Sequence, residues 1–250
     1  MAHPFIHLAY AYEFEKGEVA TEALSLGATE YDFLHRYIDQ RVPNNSTYKT
    51  TSLAEILIKV QQDKRFDEFF DVPGFQNIYA AVGWGEKFIL EHFNALEMED
   101  PVRTLENFVD TAVLVAISNG DPETQYDFFL AHVLTVAHAL RVLWPYFPAD
   151  RRETILREYA LWTITVYTAQ LRRPLDKGKI DAVQLKGHDW AWVVEQALKS
   201  ESFFDSHFVK VVRALKVSAE TYGEKDGYYL KAAVKYVSEY KGWTGFGHGV

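Results

Sequence analysis

The stretch "TQYDFFLAHVLTVAHALRVLW", residues 124–144, is apolar on nearly every side when wound as a helix. A helix with no solvent face must be packed by neighbours on several sides, so this segment predicts a central helix and a fold built around it. Pro145 and Pro148 stop it at one end, and the "SNGDPE" break, residues 118–123, precedes it at the other.

The flanking segments carry the same helical period. Residues 101–118 lead into the break, and 149–171 form a helix with Asp150 near its start. Further upstream, helices are predicted at about 4–15, with Pro4 at a first helical position, at 18–26 and at 30–40. The loop "VPNNSTYKTTS" ends in Ser52, a fitting N-cap for "LAEILIKVQQD", and a helix-like run extends from the Pro73-Gly74 turn to about Glu97. Downstream, "LRRPLDKGKI" reads as a loop, "HDWAWVVEQALKS" as a helix, then 204–222 and 226–241 as the last two, with "GWTGFGHGV" as a tail. Strand alternation and hairpin dipeptides are scarce, and there is no internal repeat. The expectation is an all-α protein, one irregular multi-helix domain over residues 1–250 with a buried central helix.

Composition narrows the function. Net charge is −9 with the basic residues dispersed, which argues against nucleic acid and anionic membrane surfaces. With no cysteine, thiolate chemistry and Cys-type metal sites are excluded. No run reaches the roughly 18 apolar residues of a membrane span, and no basic-then-apolar leader opens the chain, so a soluble, cytoplasmic protein with small-molecule partners is expected. Aromatics make up 15% of residues, which suits either a site for a flat apolar ligand or simply an aromatic-rich core.

Any metal must then be held mainly by histidine and carboxylate. On the central helix His132 shares a stripe with Phe128, Phe129, Val136, Ala139 and Leu143, at roughly 100° per residue. His138 lies well round the axis, so the two cannot serve one ion. An imidazole in an apolar stripe is either a hydrogen-bonded core residue or a ligand, and both readings stand. His3 and His7 are spaced i, i+4, which lets two rings share one face. In "DSHFVKVVRAL", residues 205–215, His207 and Lys210 flank the buried stripe of Phe208, Val211, Val212 and Leu215. Lys210 is either a boundary lysine whose amine reaches water or one kept neutral by burial and free to react. Asp127, Asp189, Asp205 and Glu195 lie near histidines, without the Glu-x-x-His pairs of a di-iron bundle. "GFGHG" has neither a strand before it nor a helix after it, so no nucleotide fingerprint is present.

Taken in order, "HPFIHLAYAYEF", "YDFFLAHVLTVAHALRVLWP", "GHDWAWVVEQAL" and "SHFVKVVRAL" resemble the questin oxidase family of fungal and bacterial proteins, over essentially the whole chain. The resemblance implies a helical oxidoreductase of secondary metabolism, a Baeyer–Villiger-type or ring-cleaving monooxygenase or dioxygenase that acts with O2 on an aromatic polyketide such as an anthraquinone. It implies a non-haem iron, Fe2+, with NADPH as reductant. By motif, it implies His3, His7, His132 and His207 as metal ligands, Lys210 as a carboxylated-lysine ligand, and His207 and Lys210 as the catalytic pair. The leading ligand set is His7, His132 and His207. The family carries a further His-containing segment upstream of the "HPFIH" motif, so this chain is expected to correspond to the C-terminal part of the usual length and to lack that ligand. The alternative from another class is a non-catalytic helical binding or scaffold relative, with exposed apolar surface on its first helices as the mark.

Overall fold

Asp127 fixes where the central helix begins. Its Oδ1 accepts from the amides of Phe129 (2.9 Å) and Leu130 (3.0 Å), donors that a helix start leaves without an internal partner. In the computed structural model, which describes residues 2–29, 33–40, 43–120 and 125–247, the helix runs Phe128–Leu143 rather than from residue 124. Residues 30–32 of the third predicted helix, Val42 of the loop before Ser52, residues 121–124 and His248 lie outside the described residues.

The chain is helical, as its periodicity predicts. The first six helices are α1 (Ala2–Phe14), α2 (Gly17–Thr29), α3 (Arg36–Asp39), α4 (Leu53–Gln62), α5 (Asn77–Phe93) and α6 (Pro101–Ile117). They are followed by α7 (Phe128–Leu143), α8 (Arg152–Ala169), α9 (Gly178–Asp181), α10 (Trp190–Lys199), α11 (Ser206–Tyr222) and α12 (Tyr228–Glu239). Ser52 caps α4, accepting from the Glu55 amide at 3.2 Å. The short α9 overlaps the end of a stretch expected to be a loop, residues 171–180, and Asp176 accepts from the Gly178 amide there at 2.9 Å. The predicted start at residue 149 is a 3-10 turn, Ala149–Arg151, before α8 proper.

Burial explains the organisation. Of the 16 residues in α7, 12 are buried, and the helix packs on α1, α6, α8 and α11. Leu134 and Leu140 have no exposed surface, so cutting either to alanine should cost about 2–5 kcal/mol. The segment Phe128–Tyr146 is in fact long and apolar enough to cross a membrane, which corrects the expectation that no such run exists. Here 67% of it is buried inside the protein, where its side chains meet other helices.

Two short strands also depart from the helical expectation. Tyr126–Asp127 (β1) pairs in parallel with Trp243–Thr244 (β2), Tyr126 opposite Trp243 and Asp127 opposite Thr244. Local patterning has no purchase on a ladder two residues long that joins segments so distant in sequence.

Candidate metal centre

Three helices each bring one imidazole to the same place. His3 projects from the first turn of α1, His132 from the second turn of α7 and His207 from the first turn of α11. One ring nitrogen from each of the three lies within 4.8 Å of the other two. The His132 ring centroid is 5.4 Å from that of His3 and 5.1 Å from that of His207. Among the described residues this is the one group of three or more histidines or carboxylates gathered closely enough for a metal.

Hydrogen bonding decides the His132 tautomer. Its Nδ1 lies 2.8 Å from the Phe128 carbonyl oxygen, which can only accept, so Nδ1 carries the proton and Nε2 keeps its lone pair. Burial pushes the His132 pKa down to about 4, and the neighbouring His207, His3 and Lys210 add to this. His207 is likewise lowered, by burial first and then by the Lys210 charge. Both rings are therefore neutral near pH 7, the state a metal ligand needs. Two imidazole nitrogens sharing an ion at about 2.1 Å sit about 3 Å apart, so the trio reaches that spacing by side-chain movements on the order of an ångström. The donor set fits a borderline metal such as iron or zinc, and it contributes no negative charge.

The other two residues singled out from sequence sit around this trio. His7 stacks obliquely one turn along α1, 5.9 Å from the His3 ring, and its Nδ1 is 3.5 Å from Glu22 Oε1 of α2. The structure thus brings His3, rather than His7, together with His132 and His207; i, i+4 spacing puts both on one face and cannot say which end of that face meets α7. Lys210 is half-buried, its pKa lowered by burial against the opposing pull of Asp205, and its Nζ lies 5.9 Å from the Tyr10 ring centroid.

Beside the trio opens a cavity of about 340 Å³. His3 and His132 line it together with Phe75, Tyr79, Phe128, Phe129 and Trp162, and Leu34, Ile78 and Val166 complete an apolar wall. The Phe128 ring, itself part of the lining, leans on both His132 (4.7 Å) and His207 (4.6 Å). Phe75 and Tyr79 are about half exposed, 46% and 52%, which marks the solvent side of the cavity.

Sequence reading missed a second polar cluster on the same three helices. Glu13 of α1 lies 3.5 Å from His138 Nε2 of α7, 3.6 Å from the Arg141 guanidinium and 3.0 Å from that of Arg213 on α11. Burial raises the Glu13 pKa, and contact with His138 and Arg213 outweighs that and holds it at about 2. The signal available in sequence was the i, i+3 pair of His138 with Arg141 on the most apolar helix of the chain.

The fold and site define an all-helical protein with a three-histidine centre at the edge of an aromatic cavity. Residues 1–215 match the family model described as Questin oxidase-like, and the chain belongs to that family. It is 25% identical over 233 residues to a Baeyer-Villiger oxidase of Pestalotiopsis microspora, an alignment covering 86% of this chain and 52% of the relative. The chain thus spans about half the length of the curated relative it matches.

Proposed function

We propose that this chain is an oxidoreductase that oxygenates a flat aromatic polyketide, such as an anthraquinone, with a non-haem iron held by His3, His132 and His207. The observation carrying this reading is the convergence of three imidazoles from three helices on the edge of an aromatic-walled cavity. When bound, iron supplies one-electron chemistry toward O2 and Lewis acidity toward a carbonyl oxygen.

The protein's own residues do the rest. Phe75, Tyr79, Phe129 and Trp162 offer ring faces and edges to a planar substrate, and the apolar wall excludes water from it. His132 is fixed in one tautomer by the Phe128 carbonyl. Lys210, its ammonium disfavoured by burial, supplies an amine that adds to carbon dioxide: a nitrogen–carbon bond forms, a proton leaves, and the resulting carbamate contributes the negative charge that the imidazoles lack. For a Baeyer–Villiger outcome one atom of O2 inserts between a carbonyl carbon and its ring neighbour and the other leaves as water. Two electrons and two protons balance this, and NADPH with a proton supplies them.

Iron quantification on protein purified without added metal tests the reading. Wild type should retain iron that His132→Ala and His207→Ala lose, and equal, near-zero iron in all three would overturn it. One observation favours a second reading, a binding or scaffold relative without catalysis: Tyr12, Phe14 and Leu24 on α1 and α2 are 44%, 53% and 63% exposed. Concentration-dependent self-association in iron-free protein, measured by sedimentation, would support that reading.

A further inference from the structure

The C-terminal segment ties together the two helix starts that carry His132 and His207. At the start of α11, Asp205 Oδ1 accepts from the amides of His207 (2.8 Å) and Phe208 (3.3 Å). The other oxygen of the same carboxylate accepts from Tyr240 Oη (2.8 Å) and Trp243 Nε1 (2.5 Å). Trp243 and Thr244 then pair with Tyr126 and Asp127, so the segment continues straight onto the cap of α7. Beyond the ladder, Gly245 has φ +101°, and a Cβ there would come within 2.8 Å of the Asp127 carboxylate, so glycine is required by conformation and by space. With its amide turned so that the nitrogen faces these acceptors, Gln170 at the end of α8 donates to Asp127 Oδ2 (2.9 Å) and to the Gly245 carbonyl (3.3 Å). Finally, the Phe246 ring lies 5.1 Å from Phe128, the residue that leans on both imidazoles.

We infer that residues 240–246 act as a strap that holds the starts of α7 and α11 in one register and thereby sets the His132–His207 pair. The helix caps are Asp127 and Asp205, and one continuous segment touches both carboxylates. Tyr240, Trp243 and Phe246 are positioning residues on this account; none belongs to the trio itself. The strap lies beyond the residues 1–215 that match the family model. Its meaning for oxygenation rests on the reading of the trio as a metal centre, whereas the coupling itself is a property of the metal-free protein.

Amide hydrogen exchange on metal-free protein tests the coupling. Trp243→Phe keeps an aromatic ring at the position that packs on Phe128 and His207 and removes the donor to Asp205. It should speed exchange at His207 and Phe208 and, together with them, at Phe129 and Leu130, by about fivefold, the scale of a weakened cap. A chain ending at Gly242 should show the same pattern more strongly. Trp190→Phe, which loses an indole bond to Glu224 at the surface, is the control and should leave all four amides at wild-type rates. Faster exchange confined to His207 and Phe208, with Phe129 and Leu130 unmoved, overturns the strap. A parallel Co2+ titration keeps the two ideas apart: failure of wild type to bind counts against the metal reading alone, and the exchange data still decide the strap. If wild type binds and Trp243→Phe binds with unchanged affinity and visible spectrum, the strap does not set the imidazole pair.

Discussion

Six positions separate His132 from His138 on α7, and the two imidazoles keep opposite electrostatic company. Around His132 stand two more imidazoles and an aromatic wall, with a carbonyl oxygen fixing one ring nitrogen. Around His138 stand a carboxylate and two guanidinium groups. Both clusters draw on α1, α7 and α11, and both hold a buried histidine whose charged form is disfavoured by burial. They differ in what is left over. Glu13 is already engaged by Arg141 and Arg213, and the guanidinium groups repel any further cation, whereas the His132 cluster brings one ring nitrogen from each of three imidazoles within 4.8 Å of the others. A histidine's neighbours, more than its burial, separate a ligand from a member of an ion network.

The contrast breaks most directly at the histidines. His132→Ala should weaken iron or Co2+ binding by about 100-fold, and His138→Ala should leave it within about twofold, both read by metal titration of refolded or native protein. Equal losses would erase the distinction. Glu13→Gln should do the reverse, costing about 2 kcal/mol in chemical unfolding by leaving two guanidinium groups without their shared counter-ion, while metal affinity stays near wild type.

Acid sharpens the comparison further. The Glu13 pKa is depressed in the folded state, so its contribution to stability is complete above its ordinary value near 4.5 and is lost as pH falls toward about 2. Thermal melts across that window should show a steeper loss for wild type than for Glu13→Gln. The cap of α7 has the opposite sign. Burial raises the Asp127 pKa to about 6, so the cost of its charge is absent below pH 3.8, grows between 3.8 and 6 and is complete above 6. Asparagine caps as well as aspartate and carries no charge. Asp127→Asn should thus gain about 1 kcal/mol at pH 7.5 and nothing at pH 4; a loss at both would show that the carboxylate is held by more than its capping bonds.

The helices were legible because their cause is local. The unbroken apolar run after Asp127, the Pro145 stop and the Ser52 cap each act within a turn or two, and periodicity reads that range. His132 was legible as inward-facing for the same reason, and His207 as lying on the flank of a buried stripe. The choice of His3 over His7 was not, because it depends on how α1 lies against α7, a contact between residues more than a hundred positions apart. Glu13 hid in "AYEFEKGE", where nothing nearby distinguishes it from the surface glutamates beside it. Tyr240 and Trp243 read as the end of a helix and part of a tail, since their partner carboxylate, Asp205, is distant in sequence.

The three imidazoles stand at positions 3, 132 and 207 of a 250-residue chain. No early folding unit made of neighbouring helices can hold all three, because their encounter waits on closure of the longest loops in the molecule. A metal that needs all three therefore meets them only in the finished protein and stabilises that state by mass action. Metal uptake followed in time during refolding would then report the last tertiary step, so the same histidines would serve as an internal clock for when the two ends of the chain have found each other.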